Sequence, residues 1–358
     1  MACKCGSQIV LCNLPIRFDT YVGCSHGCRY CFVQKKNGQL EAVKKGDTVE
    51  SLKAFVQGKR SGETAWCDWN IPIHWGGMSD PFQPVEKKYG YSLECLKYLA
   101  ETKYPFVVST KGRLAASPEY LELLAECNCV VQISMVCSRY DQLEKGAPSY
   151  EERLEMLRTI SPRVKRTIVR IQPFMHEVLQ DVLKNLPRVK AAGAHGVVVE
   201  GMKFAKAKPG LVRVGGDCVY PIELLRADFE QIKAEAHRCG LVFYSGENRL
   251  RNMGDDMTCC GIEGLDGFKP NKTKKVTVNG QEFELQSVSP SWYYDFNDEC
   301  GNTGSGKRKS AKYMDGMFKN CVISPPEVKA QGMEYFDEKE DLKTPEQLIG
   351  AIEQFLRS

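Results

Sequence analysis

No run of eighteen apolar residues occurs in the 358-residue chain, which excludes a long hydrophobic membrane-spanning helix. Met1-Ala2-Cys3-Lys4-Cys5 lacks the apolar stretch of a secretory signal. Charge of one sign is also scarce. Lys plus Arg number 49 and Asp plus Glu 45, so the net charge is +4, which permits a nucleic-acid partner without demanding one. Together these absences predict a cytoplasmic protein with no membrane partner. Cysteine, by contrast, is abundant at 17 residues. With no secretory signal, that count argues against a disulfide framework and for reduced thiols, some of them on metal. A hydrophobic share of 42% and a charged share of 26% read as globular. The length accommodates one barrel-like domain, alone or with an extension.

Three of the cysteines stand close together in Gly23-Cys24-Ser25-His26-Gly27-Cys28-Arg29-Tyr30-Cys31-Phe32. Thiolates at the spacing C-x3-C-x2-C can hold three corners of a [4Fe–4S] cube and leave the fourth iron open for reaction. A structural zinc site is the competing assignment. It usually offers two CxxC pairs or Cys with His, and only His26 is at hand as a fourth ligand.

With Tyr30 just before the third cysteine, the loop resembles that of the radical S-adenosylmethionine (SAM) superfamily. The resemblance implies that Cys24, Cys28 and Cys31 bind a [4Fe–4S] cluster, that SAM chelates the open iron, and that one electron releases a 5′-deoxyadenosyl radical. It also implies a flavodoxin or ferredoxin-like electron donor, and places Tyr30 near the adenine.

From about residue 19 short β-rich runs alternate with amphipathic helical runs, the pattern of βα units around a parallel sheet. Strands are expected at Asp19–Gly23, Ile71–Gly76, Phe106–Thr110, Val130–Val136, Arg166–Gln172, Gly196–Gly201 and Leu241–Ser245. Helices are expected over Lys87–Thr102, Ser117–Glu126 (Ser117 at the N-cap, Pro118 at N1), from Ser149 through a Ser149–Glu152 capping box, over residues 176–191 and over Pro221–Cys239. The expected fold class is α/β, a partial (β/α)6 TIM-type barrel of the radical SAM kind with a C-terminal extension. Its parts would be an N-terminal segment 1–18, with an edge strand at Gln8–Leu11, a barrel 19–251 and an extension 252–358. Function in such sheets sits at the C-terminal strand ends.

The second strand runs into His74-Trp75-Gly76-Gly77-Met78-Ser79-Asp80-Pro81. Paired glycines let backbone approach a ligand closely, and the resemblance assigns Gly76 and Gly77 to the SAM amino group. Ser79-Asp80-Pro81-Phe82-Gln83-Pro84-x-Glu86, followed by Ser109-Thr110-Lys111, is similar to the spore photoproduct lyase-like branch of the superfamily. That likeness, running from about Tyr21 to Arg170, implies SAM contacts from Ser79, Lys111 and Ser134. Lys111 can neutralise the SAM carboxylate and the serines can hydrogen-bond its polar groups. Arg170, with its bidentate fork, is a second candidate for the carboxylate. The lyase proper carries a hydrogen-donating cysteine where Gly77 stands here, so the resemblance points to another radical reaction on a similar scaffold. Glu200, at the end of the sixth strand, is placed facing the cavity or in solvent.

After about residue 252 helical periodicity fades. Lys274–Val278 and Glu282–Gln286 around Asn279-Gly280 predict a hairpin, and Thr344–Leu356 a terminal helix. Cys259, Cys260, Cys300 and Cys321 are candidates for a second metal site, a hydrogen donor, or plain reduced thiols. Gly301-x4-Gly306-Lys307 imitates a phosphate-binding loop but continues with Arg308 instead of Ser or Thr. Lys307-Arg308-Lys309-x2-Lys312 and Lys272-x-Lys274-Lys275, with Trp292-Tyr293-Tyr294 between them, suit phosphate contact and base stacking. The expected substrate is a modified pyrimidine base or nucleotide in DNA. A small molecule or peptide substrate is the alternative, and a non-catalytic cluster-bearing sensor or binding protein is the reading from another class.

Overall fold

The computed structural model describes residues 4–5, 16–31, 33, 43–59, 72–204, 206–214, 217–256, 258–268, 274–278 and 281–285. The Gln8–Leu11 edge strand, the Asn279-Gly280 turn, Trp292-Tyr293-Tyr294, the basic loop, Cys300, Cys321 and the 344–356 helix lie outside them.

The strands are β1 (Lys4–Cys5), β2 (Ile16–Phe18), β3 (Tyr21–Val22), β4 (Lys44–Lys45), β5 (Ile73–Trp75), β6 (Phe106–Thr110), β7 (Cys129–Ser134), β8 (Arg166–Phe174), β9 (Gly196–Gly201), β10 (Val212–Val214), β11 (Asp217–Val219), β12 (Val242–Ser245), β13 (Lys274–Val278) and β14 (Gln281–Leu285). The helices are α1 (Val49–Val56), α2 (Glu86–Tyr89), α3 (Tyr91–Thr102), α4 (Pro118–Glu126), α5 (Tyr150–Ile160), α6 (Leu179–Ala191) and α7 (Ile222–Arg238). The central sheet runs β1-β2-β5-β6-β7-β8-β9-β12. Its seven strands from β2 to β12 are parallel, and β1 adds an antiparallel edge. Ends β1 and β12 do not pair, so the fold is an α/β partial barrel.

The first parallel strand is Ile16–Phe18, not the expected Asp19–Gly23. Ile16 and Phe18 are fully buried against the helical layer, whereas Tyr21–Val22 leaves the sheet and pairs antiparallel with Lys44–Lys45. The expected helix Lys87–Thr102 is two helices, broken at Gly90, whose φ of 65° is left-handed. Ser117 occupies the N-cap position of α4 but its hydroxyl donates to the Leu114 carbonyl instead of capping. The Ser149–Glu152 capping box on α5 forms in both directions. The late hairpin pairs Lys274–Val278 with Gln281–Leu285, one residue earlier than expected on the second strand.

Period-two alternation sorts each strand into two faces. Outward residues such as Trp75, Phe106, Val131, Val169, Val197 and Phe243 pack with α-helical Leu96, Leu157, Leu186 and Phe229 in the main core. A second cluster holds inward residues Val107, Val130, Ile168, Val198 and Tyr244 together with Cys260, Ile262 and Phe268. The irregular stretch 258–268, reached after β12, therefore covers the inner face of the sheet. The Cys260 carbonyl accepts a hydrogen bond from Gln132 Nε2 on β7 at 3.2 Å. No helix among the described residues is long and apolar enough to cross a membrane.

Candidate active site at the cysteine loop

The cysteine loop leaves β3 through Gly23 and is tied to the turns that follow β5, β6 and β7, all C-terminal strand ends. Each polar residue of Ser79-Asp80-Pro81-Phe82-Gln83-Pro84-x-Glu86 fastens either the loop itself or the β3 strand that leads into it. Ser79 Oγ donates to the Tyr21 carbonyl at 2.7 Å. Gln83, fully buried, accepts from the Ser25 amide at 2.7 Å and donates to the Gly23 carbonyl at 3.3 Å, which brackets Cys24. Glu86 accepts from the Tyr21 and Tyr120 hydroxyls and from the Ser92 and Leu93 amides.

His26 does not face the thiols. Its Nδ1 meets the Gly146 carbonyl at 2.9 Å and its Nε2 meets Asp80 Oδ2 at 3.0 Å. Both partners accept only, so the ring donates twice and is an imidazolium. Burial alone would push its pKa down, but Asp80 and the Gly146 carbonyl outweigh burial and hold it above its ordinary value. Asp80 is held low in turn. Burial pushes its carboxyl up, and His26, the Lys111 amide and the Thr110 hydroxyl more than offset that. The Gly146 amide donates back to the His26 carbonyl at 3.1 Å, so close that a Cβ on Gly146 would stand 2.5 Å from that oxygen.

Of the three thiols, Cys28 is buried, and Cys24 and Cys31 are half-buried. Burial pushes Cys24 up to about 12, with Asp80 adding to it, and Cys28 up to about 11. Such thiols stay protonated until a metal takes the proton's place. Among the described residues no three His, Cys, Asp or Glu side chains converge as a single-ion site. With His26 turned away, the set left is three sulfurs on one fastened loop, which fits a [4Fe–4S] cluster with one open iron.

Within the loop, Tyr30 donates its hydroxyl to Glu144 and packs edge-on against Tyr140, with ring centroids 5.9 Å apart. Glu144, 2% exposed, pairs with Arg153 at 2.5 Å, and Lys111 Nζ lies 3.8 Å away. Lys111 also lies 5.9 Å from the Tyr30 ring centroid. Arg153 is fully buried and donates to the Ser134 carbonyl at 2.8 Å. Gly76, at φ 86°, leaves no room for a side chain, since a Cβ would stand 2.5 Å from the Ser109 carbonyl. A Cβ on Gly77 would meet nothing nearer than Arg17 Cδ at 3.8 Å.

Arg170 sits on the inner face within a polar row. His74 Nε2 meets Ser109 Oγ at 3.0 Å, Ser109 donates to Gln132 Oε1 at 3.0 Å, and Arg170 donates to Gln132 at 2.7 Å. Arg170 also donates to Gln172, Gln172 donates to Glu200 at 2.5 Å, and Lys203 pairs with Glu200 at 3.3 Å. Burial, then Arg170 and Arg17, pushes His74 down to about 3, so its ring is neutral. Burial raises Glu200, with Lys203 partly offsetting it and Glu247 adding to it.

The structure thus brings Tyr30, Lys111 and Ser134 together around Glu144 and Arg153, puts Gly76, Gly77 and Ser79 in one turn, and sets Arg170 in the neighbouring row. Sequence reasoning missed His26–Asp80, Gln83, Glu144 and Arg153. The motif from Ser79 to Glu86 was the available signal for the first two. Cys259 and Cys260 Sγ stand 3.8 Å apart at the inner face, with no third ligand beside them among the described residues.

Residues 19–193 match the family model described as Radical SAM superfamily. An uncharacterized protein of Mycobacterium tuberculosis (strain ATCC 25618 / H37Rv) is 28% identical over 214 residues, which are 55% of this chain and 62% of the relative. An uncharacterized protein of Mycobacterium bovis matches with the same figures. The chain therefore spans under two thirds of the length of the curated relatives it matches. Among solved structures, a mutant of spore photoproduct lyase with bound AdoMet and dinucleoside spore photoproduct aligns with a TM-score of 0.53 at 14% identity, covering 65% of this chain and 76% of that one. The lyase complexed with dinucleoside spore photoproduct gives 0.52 at 15%, covering 65% and 77%. At these identities the likeness is one of fold.

Proposed function

Because the chain carries a radical SAM superfamily domain over residues 19–193, we propose that it cleaves SAM reductively at a [4Fe–4S] cluster and abstracts hydrogen from a modified pyrimidine base or nucleotide in DNA. The observation that carries the proposal is the cysteine loop. The ring of His26 is engaged by Asp80 and the Gly146 carbonyl, which leaves the three thiols, and buried side chains fasten the loop to the C-terminal ends of a parallel sheet.

Cys24, Cys28 and Cys31 would hold the cluster, which, once reduced, would supply the electron for breaking a sulfur–carbon bond of SAM. The protein's own residues bind and orient. Lys111 and Arg170 offer cations to the SAM carboxylate. The turn at Gly76 and Gly77 presents backbone to the amino group, and Ser79 and Ser134 add polar contacts. Tyr30 lines the adenine side while its hydroxyl stays on Glu144. Glu200 and Lys203, at the far end of the polar row, face the substrate. A flavodoxin or ferredoxin-like protein delivers the electron. The catalytic unit is the barrel 19–251 together with Ile16–Phe18, and the segment from 252 onward is its extension. The nucleobase reading rests on the lyase-like motif and on the lysine patches of the extension. It is in line with the dinucleoside in the structural neighbours.

The test uses anaerobically reconstituted protein with dithionite and SAM, read for 5′-deoxyadenosine by mass spectrometry. Wild type should give product and Cys28→Ala none. A wild type with an intact cluster and no product would instead make the chain a sensor or binding protein. DNA affinity should fall steeply with salt, and a slope near zero would remove DNA as the substrate.

A further inference from the structure

We infer that Asp80 and His26 are positioning residues that fix the spacing between the cysteine loop and Lys111. The inference rests on the reading of Lys111 as a cation for the SAM carboxylate. Asp80 is a hub with four donors. Oδ1 accepts the Phe82 amide at 2.9 Å and the Thr110 hydroxyl at 2.7 Å. Oδ2 accepts the Lys111 amide at 2.6 Å and His26 Nε2 at 3.0 Å. One oxygen atom therefore joins the middle of the cysteine loop to the backbone of Lys111, which is 31 positions from Asp80 in sequence. His26 lies two residues from Cys24 and two from Cys28, so the bond acts at the centre of the C-x3-C spacing. The far side of the ring is held by the Gly146 carbonyl, on the turn that also carries Glu144. Buried, fully satisfied networks of this kind specify a single arrangement. Here that arrangement sets where the Lys111 ammonium stands relative to the thiols.

The two links can be cut separately. In Asp80→Asn the introduced amide keeps an oxygen for Phe82 and Thr110. Its NH2 then faces His26 and the Lys111 amide. His26 can answer by donating to Gly146 alone and accepting at Nε2. The Lys111 N–H cannot answer, because it meets a donor. Asp80→Asn should therefore load iron and sulfide like wild type yet bind SAM about tenfold more weakly or worse, the scale of one lost charge-assisted hydrogen bond. His26→Gln cuts the other link. It should lower iron loading severalfold, because the free loop loses its tie, while in the loaded fraction the bound thiols hold the loop, Asp80 still holds the Lys111 amide, and SAM binds as in wild type.

Iron and sulfide content, the cluster's EPR response to SAM, the SAM dissociation constant and apoprotein melting are to be measured on the full chain. A split between loading and SAM affinity, in opposite senses for the two variants, is the expected result. Asp80→Asn binding SAM like wild type would overturn the inference. So would loading, affinity and melting temperature falling together in both variants, as a merely structural role requires. If Asp80→Asn does not fold, His26→Gln decides alone, and unchanged iron loading there overturns the inference. Wild type that loads its cluster but does not bind SAM would overturn the functional reading instead.

Discussion

The inner face of the sheet is two environments on the same strands, two residues apart. Val107 is followed by Ser109, Val130 by Gln132, Ile168 by Arg170 and Val198 by Glu200. The lower residues pack dry against Cys260, Ile262 and Phe268. The upper ones hydrogen-bond in the row from His74 to Lys203. A single step along a parallel strand thus turns a core into a site. What separates them is which loops lie at each end: the stretch 258–268 below, the cysteine loop and its fasteners above. The upper half is held by buried ions, the lower by packing, and the two should break differently.

The largest expected effect is in the upper half. Arg153→Met leaves Glu144 as a buried carboxylate without its 2.5 Å partner. It should cost about 3–5 kcal/mol, measured by chemical denaturation of the apoprotein, and a loss below about 1 kcal/mol would mean that Lys111 suffices as the counter-charge. In the lower half, Phe268→Ala removes a ring that is 6% exposed. It should cost about 3 kcal/mol while SAM affinity stays as in wild type, and a parallel loss of affinity would show that the floor and the site are one unit. Arg170→Lys keeps the charge and loses the fork that spans Gln132 and Gln172. SAM binding should weaken about tenfold, and unchanged binding would remove Arg170 from the carboxylate site.

The smallest effect concerns Asp19, beneath the Gly77–Ser79 turn. Burial raises its carboxyl to about 7 from 3.8, against the lowering pull of the Met78 and Ser79 amides on Oδ1. Its contribution to stability is full below its unfolded value and is lost as pH rises through 7. Asp19→Asn keeps an oxygen for both amides. It should flatten stability between about pH 4 and 7 and leave the protein about 1 kcal/mol more stable at pH 8. Lower stability of the variant at pH 8 would mean that the ionised carboxylate is the favoured form there.

Much of the upper half was legible in the sequence because its chemistry needs rare residue types at short spacing. The C-x3-C-x2-C loop is local, and Val-rich runs such as Gly196–Gly201 announce buried parallel strands by composition. His26 and Asp80 were visible as letters, but their pairing joins positions 54 apart, which no local pattern encodes. Ile16–Phe18 is three residues long, too short for alternation to show, and the polar Asp19-Thr20 drew the expected strand onto Tyr21 and Val22 instead. Helix α1 went unanticipated although Thr48 and Ser51 close a capping box before it. The floor is the hardest case. Thr258–Phe268 has neither helical nor strand period, and its apolar residues are explained only by the Val107–Tyr244 surface they cover.

That floor lies downstream of the last strand, and this sets an order of assembly. During synthesis the thiols of Cys24, Cys28 and Cys31 leave the ribosome directly behind β2, and all seven parallel strands are made before the residues that cap them from below. Until Phe268 is available, Val107, Val130, Ile168, Val198 and Tyr244 stand as an open apolar basin. Nascent chains halted in that interval would be the form of this protein most in need of a chaperone.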